Sequence, residues 1–166
     1  MTPRLCPTLA LLALVLSGCQ RQDDAVSIAG KLFNFNYRVA TATYVLTLAR
    51  QGPLPEGSTI ETTYENPAGG APLVVREKIF ASWEKIALNS PPVHCIVKDR
   101  PYRIAIRILG PDGALIQALE TTLTSNIDQT VMPAKPLVVG PFYTRNPQVF
   151  KADGSTDFSP ETGCKN

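Results

Sequence analysis

Histidine is nearly absent from this sequence, since His94 is the only one. Acyl-transfer catalysis needs a nucleophile, a base and a group that orients the base, so any histidine base would have to be His94. Neither a G-x-S-x-G motif nor a phosphate-binding glycine loop followed by a lysine occurs. We therefore predict no catalytic residue and no cofactor, and we interpret His94 as a surface or packing residue.

The sequence also lacks a marked excess of either charge and a long hydrophobic run. The chain has 16 Lys and Arg against 14 Asp and Glu, and a nucleic-acid-binding domain would show a clustered basic excess. A bilayer-spanning helix needs roughly 20 apolar residues, and the apolar run from Leu9 to Leu16 is shorter. These patterns argue against a nucleic-acid partner and against a membrane-spanning helix.

The first residues have the layout of a secretory signal, with Arg4 before the short apolar run and small residues after it. The sequence then reads Leu16-Ser17-Gly18-Cys19, which resembles the lipobox of bacterial lipoproteins. The resemblance implies that residues 1–18 are removed and that the Cys19 thiol carries a diacylglycerol. It also implies an outer-membrane location, at the periplasmic face or the cell surface, because Gln20 replaces the aspartate that favours inner-membrane retention in enteric bacteria. The alternative is an ordinary signal peptide in which Cys19 is incidental.

The remaining 148 residues are enough for one domain with a hydrophobic core. Removal of the leader takes away one basic residue, Arg4, and leaves a formal charge near +1. We expect a polar tether at 19–27, a folded domain at 28–139 and an irregular C-terminal tail at 140–166.

Two cysteines remain once Cys6 leaves with the leader and Cys19 carries lipid. An exported protein enters an oxidising compartment, so we predict a disulfide between Cys95 and Cys164. It would close a loop of about 70 residues and stabilise the fold by roughly 4 kcal/mol in the chain-entropy model. Two free thiols or a metal site are the alternatives. No CxxC or HxxxH spacing supports a metal, and His94 and Cys95 would point to opposite faces of a strand.

The pattern from residue 28 onward predicts β-structure. Pro101 to Leu109 is the clearest strand, with aliphatic residues on one face and Arg103 and Arg107 on the other. Gly110-Pro111-Asp112-Gly113 predicts a hairpin turn. Further strands are predicted at 28–36, 42–50, 58–65, 72–80, 83–88, 93–97 and 114–124, and a last apolar stretch at 135–139. Seven or eight short strands separated by turns predict a single antiparallel β-sandwich or open barrel.

Several exposed features could serve a function, although each also has a structural explanation. Glu61 and Glu65 share a polar strand face, where a carboxylate pair could act in glycoside hydrolysis or could simply be solvated. Arg100, Arg103 and Arg107 could form a basic stripe or a solvated face. The sole tryptophan, Trp83, is expected in the core and otherwise at a partner contact. The aromatic residues at 142 and 143 could plug the end of the sandwich or form a docking patch.

The order of lipobox, tether and sandwich resembles the pilotins of type III secretion and their relatives. The resemblance covers about residues 28–125, through Gly30, Leu54-Pro55-Glu56-Gly57, Tyr102-Arg103-Ile104-Ala105-Ile106 and the Asp112-Gly113 hairpin. It implies a non-enzymatic accessory that binds an envelope protein partner through a strand edge or a groove. The alternatives are a module that binds a polysaccharide, another ligand or a hydrolase, and an enzyme using Glu61, Glu65 or His94. No ligand-binding residue is predicted.

The predicted lipid anchor at Cys19 can be tested directly. Replacing Cys19 with serine removes the thiol that accepts the diacylglycerol, so the protein should leave the membrane fraction when cells are fractionated. A Cys6→Ser variant is the matched control and should stay with the membrane. Full membrane retention of the Cys19→Ser protein would contradict the anchor.

Overall fold

The structure, a computed structural model, describes residues 24–80 and 82–164. The predicted leader and the lipidation site at Cys19 lie outside the described residues. The described part confirms the all-β antiparallel fold. Its strands are β1 Val26–Asn36, β2 Thr41–Arg50, β3 Thr59–Tyr64, β4 Leu73–Lys78, β5 Lys85–Asn89, β6 Pro101–Leu109, β7 Leu115–Thr124, β8 Val138–Val139 and β9 Thr144–Arg145.

Seven strands form two sheets that pack face to face. One sheet has the order β1-β2-β5 and the other the order β4-β3-β6-β7, with every neighbouring pair antiparallel. This is the order of an immunoglobulin-type sandwich in which the fourth strand pairs with the third rather than with the fifth. The sheets do not close into a barrel, so the sandwich alternative is correct.

Strict alternation of apolar and polar residues produces the core. In β2 the inward residues Tyr44, Leu46 and Leu48 are fully buried, and the apolar face of β6 is buried in the same way. Because side chains alternate between the faces of a strand, the intervening threonines and arginines face solvent. Tyr44 also joins the sheets, since its hydroxyl donates a hydrogen bond of 2.7 Å to the carbonyl of Glu65.

The sheets also meet along the edges of β1 and β7, where a β7 side chain bonds to the β1 backbone and no strand pairing occurs. The Val26 N–H donates to Oε1 of Gln117 at 2.9 Å, and Nε2 of Gln117 donates to the Val26 carbonyl at 3.0 Å. The side-chain amide thus occupies the place that a neighbouring strand would take. It satisfies polar backbone groups that an open edge would otherwise expose.

Several strand ends differ from the prediction by a few residues, and one predicted strand is absent from the described residues. Strand β1 begins at Val26, inside the predicted tether, because Val26 is fully buried against the core. The predicted strand at 93–97 is wrong. Only Val93 makes a bridge, to Ala42, and the positive φ of Cys95, 66°, is incompatible with strand geometry.

The C-terminal segment, residues 125–164, folds over the end of the sandwich that carries the β1–β2 turn; we call it the cap. It contains a single 3-10 turn, Gln129–Val131, and the β8–β9 hairpin. The Gln129 N–H donates to the Ile96 carbonyl at 2.8 Å, and the predicted disulfide joins Cys95 to Cys164. Within the described ranges, no helix is long and apolar enough to cross a membrane.

Tyr102, near the start of β6, forms a corner with the preceding loop. Its hydroxyl accepts a hydrogen bond of 2.7 Å from the Val97 N–H and lies 3.5 Å from the Cys95 carbonyl. Immunoglobulin-type sandwiches use a tyrosine at the equivalent corner. The contact fixes the loop to which the cap is attached.

Tyr102→Phe should lower stability because the Val97 N–H loses its acceptor, at a cost of about 1–3 kcal/mol. The measurement is the melting temperature by circular dichroism with the disulfide intact. Tyr37→Phe is the control, because Tyr37 is 46% exposed in the β1–β2 turn. Equal melting temperatures for the two variants would show that the corner bond contributes nothing.

Candidate functional site

The outward face of the β4-β3-β6-β7 sheet carries ordered ion pairs. Glu61 on β3 lies opposite both Arg76 on β4 and Arg107 on β6 in the strand register. Arg76 donates to Oε2 of Glu61 through Nε at 2.9 Å and through Nη2, and Arg107 donates to Oε1 at 3.0 Å. These hydrogen bonds, from Arg76 first and then from Arg107, hold the pKa of the Glu61 carboxyl below its usual value.

A second charged row crosses the same face near the cap. Glu65, just after β3, accepts hydrogen bonds from Nη2 of Arg100 at 2.8 Å and from the Arg103 backbone N–H at 2.9 Å. The Arg100 guanidinium also lies over the Tyr102 ring, 4.8 Å from its centroid. Most of the predicted basic stripe is therefore paired with the two glutamates.

Small residues separate the two rows and leave a shallow trough of about 820 Å³. Thr63 and Ala105, which pair across β3 and β6, form its floor. The wider lining consists of Glu65, Asn66, Gly69, Gly70, Pro72, Arg100, Arg103, Ile104, Glu120, Thr121 and Thr122. Within the described part of the chain, the Arg103 guanidinium makes no ion pair, so it is available to an anionic ligand.

This geometry differs from that of a paired-carboxylate active site. A general acid needs a raised pKa, whereas two guanidinium groups lower the pKa of Glu61. The trough is open, and His94 is an exposed residue of the β5–β6 loop outside its lining. No group of three or more His, Cys, Asp and Glu side chains that could hold a metal occurs in residues 24–80 and 82–164.

The most exposed large apolar residue described lies elsewhere, at the turn of the β8–β9 hairpin. We call residues 140–143 the aromatic tip. Phe142 is 90% exposed and Tyr143 is 59% exposed. The Tyr143 N–H donates to the Gly140 carbonyl at 3.2 Å and Tyr143 has a φ of 53°, so the turn is tight and presents both rings outward. The tip therefore does not plug the sandwich.

The aromatic tip is held firmly against the β1–β2 turn. The N–H groups of Leu137 and Val138 donate to the Arg38 carbonyl at 2.8 and 3.3 Å. The Arg38 guanidinium lies 5.5 Å from the centroid of the Tyr143 ring, and Nδ2 of Asn146 donates to the Pro136 carbonyl at 2.7 Å. These contacts fix the base of the hairpin and leave Phe142 without cover.

The core position expected for Trp83 is wrong. Trp83 is 42% exposed in the β4–β5 connection, beside Phe80. The Cys95–Cys164 disulfide is confirmed. The pairing of the aromatic tip with Arg38 is not visible in the sequence, because the contact spans about a hundred residues. The Gly-Pro pair before Phe142 was the one local signal of a projecting turn.

No protein-family model and no curated protein matches this chain. Solved structures with some likeness include a calcium-binding mutant of Bacteroides uniformis β-glucuronidase 2, with 15% identity, a TM-score of 0.43, and coverage of 61% of this chain and 13% of that chain. Bacteroides uniformis β-glucuronidase has 15% identity, a TM-score of 0.40, and coverage of 60% and 12%. An endonuclease/exonuclease/phosphatase from Beutenbergia cavernae has 14% identity, a TM-score of 0.31, and coverage of 58% and 27%. This chain spans less than a third of each, and the similarities are too low to assign it a function.

The ion pairs at Glu61 predict a specific pH response. Because the Glu61 pKa is lower in the folded state than in the unfolded state, the ionised carboxylate stabilises the fold. This contribution is fully present above the unfolded-state pKa, near 4.3. It is lost as the pH falls through the lower, folded-state pKa. Arg76→Ala and Arg107→Ala should each move the Glu61 pKa upward, as measured by carbon-13 NMR titration of its carboxyl. Arg103→Ala is the control and should leave the Glu61 titration unchanged. An unaltered Glu61 titration in both of the other variants would refute the assignment.

Proposed function

We propose that the protein is a lipid-anchored envelope accessory that docks onto a protein partner through its aromatic tip. The observation that carries the proposal is the 90% exposure of Phe142 on a hairpin whose base is fixed by hydrogen bonds. Exposing a large aromatic ring to water is unfavourable, and buried aromatic anchors supply much of the binding energy of protein interfaces. A rigid anchor also costs little conformational entropy on binding.

The position of the aromatic tip supports this role. The hairpin that carries the tip is hydrogen-bonded at its base to Arg38 in the turn that follows β1, whereas the described chain begins just before Val26 at the other end of that strand. The 11 residues of β1 separate the two ends by roughly 33 Å at the usual rise per residue. A lipid at Cys19 would therefore hold the tip away from the membrane, within reach of another envelope component.

Charge near the aromatic tip indicates the chemistry of the partner. Arg38 lies over the Tyr143 ring, and Arg145 follows in β9 with its guanidinium 4.4 Å from the centroid of the Phe150 ring. We therefore propose that the partner offers an apolar pocket for Phe142 with acidic side chains at its rim. A component of a secretion or assembly complex fits the resemblance to the pilotins.

Phe142→Ser should abolish partner capture without weakening the fold. Loss of a central aromatic anchor costs about 2 kcal/mol or more, which corresponds to roughly 30-fold in affinity, while a substitution at an exposed site changes stability by less than about 0.5 kcal/mol. The measurement is affinity purification of the tagged, lipidated protein from gently solubilised envelopes, followed by affinity titration of the recovered partner.

Leu115→Ser is the matched control, since Leu115 is 54% exposed at the start of β7, at the end of the sandwich opposite the cap. It should retain the partner that Phe142→Ser loses. Equal recovery of that partner with both variants would exclude the tip as the docking site. Recovery of the lipidated wild-type protein alone, under several detergents and salts, would overturn the accessory role.

The trough supports a second candidate, the binding of an anionic ligand such as an acidic polysaccharide. This candidate rests on the Arg103 guanidinium, which lines the trough and makes no ion pair in the described residues. An array of acidic and neutral glycans tests this candidate. Binding that is confined to acidic glycans and lost in Arg103→Ala would support it.

A further inference from the structure

A second pair of exposed aromatic rings lies at the opposite end of the sandwich from the aromatic tip. Phe80 is 57% exposed and Trp83 is 42% exposed, and their ring centroids are 4.9 Å apart at an interplanar angle of 55°. The backbone N–H of Trp83 donates to the Phe80 carbonyl at 3.0 Å, which closes a turn. We call Phe80 and Trp83 the basal pair.

The turn that carries the basal pair is tied to both sheets. On one side, the N–H of Ile79, which is buried, donates to the Ser58 carbonyl at 2.9 Å. On the other side, the Arg50 N–H donates to the Glu84 carbonyl at 2.9 Å. The position of the two rings is therefore set by the sandwich and not by the loop alone.

The basal pair lies beside the place where the chain enters the domain. On one side, the end of β2 contacts Glu84 through Arg50. On the other side it contacts Ala25, whose carbonyl accepts hydrogen bonds from the N–H groups of Gln51 and Gly52 at 2.9 and 3.1 Å. Ala25 and Glu84 thus flank a single strand. Two interstrand spacings place them about 10 Å apart.

The chain between Cys19 and this entry point is short. Five residue steps separate Cys19 from Asp24, and a fully extended chain covers at most about 3.6 Å per residue, or roughly 18 Å. A lipid on Cys19 therefore holds the basal end of the sandwich within reach of the membrane surface. Tryptophan and other aromatic residues prefer that interface, where part of each ring leaves water.

We propose that the basal pair inserts into the interfacial region of the leaflet that holds the anchor, so that Phe80 and Trp83 form a second membrane contact. The contact orients the sandwich and directs the aromatic tip away from the bilayer. The inference rests on the lipid anchor of the proposed function. Glu84 and Lys85 follow the basal pair with opposite charges, so the contact does not require an anionic membrane.

The experiment uses the intrinsic fluorescence of Trp83, because Trp83 is the only tryptophan. The lipidated protein is purified from membranes, its intact mass is measured, and it is reconstituted into phosphatidylcholine vesicles with and without lipids brominated near the headgroup. Trp83 emission should shift to shorter wavelength in the vesicles, and the brominated lipid should quench most of it. Phe80→Ser should reduce both effects, whereas Phe142→Ser, at the opposite end, should leave them unchanged.

A second preparation separates this inference from the anchor itself. The chain from Cys19 onward contains every described residue, and its Cys19 thiol is coupled to a maleimide phospholipid, since Cys95 and Cys164 are bridged. If the mass of the protein purified from membranes shows no acyl chains, only the cellular anchor is refuted. The chemically coupled protein would still show whether Trp83 contacts the membrane. Emission that the brominated lipid leaves unquenched in the coupled protein, or quenching equal in wild type and Phe80→Ser, would overturn the membrane contact.

Discussion

The hydrogen bond from the Val97 N–H to the Tyr102 hydroxyl fixes the loop between β5 and β6 against the end of the sandwich. That loop carries Cys95, which forms the disulfide with Cys164, a residue near the C-terminus. The loop also carries Ile96, whose carbonyl accepts a hydrogen bond from the Gln129 N–H. The cap has little regular structure of its own, so its position depends on these attachments and on the hydrogen bonds from Leu137 and Val138 to the Arg38 carbonyl. The aromatic tip is part of the cap. A buried tyrosine, a disulfide and the β1–β2 turn thus together determine where the most exposed apolar side chain of the described residues is presented.

The antiparallel sheet order gives the molecule two structurally distinct ends. The start of β1 and the β4–β5 turn lie together, because β1 and β5 both flank β2. The β1–β2 turn and the cap lie at the other end. Each end exposes a pair of aromatic rings, and the two pairs lie at opposite ends of the strands. The proposed function uses both ends, with the membrane contact at one end and the protein partner at the other.

The candidate sites show where sequence reasoning succeeded and where it stopped. Alternation along β3 placed Glu61 and Glu65 on one polar face, but the role of Glu61 followed only from its register with Arg76 and Arg107 on two other strands. The prediction for Trp83 was wrong because burial of a single side chain depends on what covers it. The turn that carries Trp83 projects beyond both sheets, and no periodicity within the turn itself indicates this.

The sequence by itself determined the β-class and most of the strands, and it limited the architecture to an antiparallel sandwich or an open barrel. The bounds of β6 agree with the prediction, as does the Asp112-Gly113 hairpin with its positive φ at Gly113, because alternation and turn chemistry act between near neighbours. The predicted export signal together with two remaining thiols also predicted the disulfide that joins Cys95 to Cys164. Only the tertiary structure decided the sheet order, the closing of the β1 edge by Gln117, and the separation of the two aromatic pairs. These depend on pairings across tens of residues, where many arrangements satisfy the same local pattern and only packing of the whole core selects one.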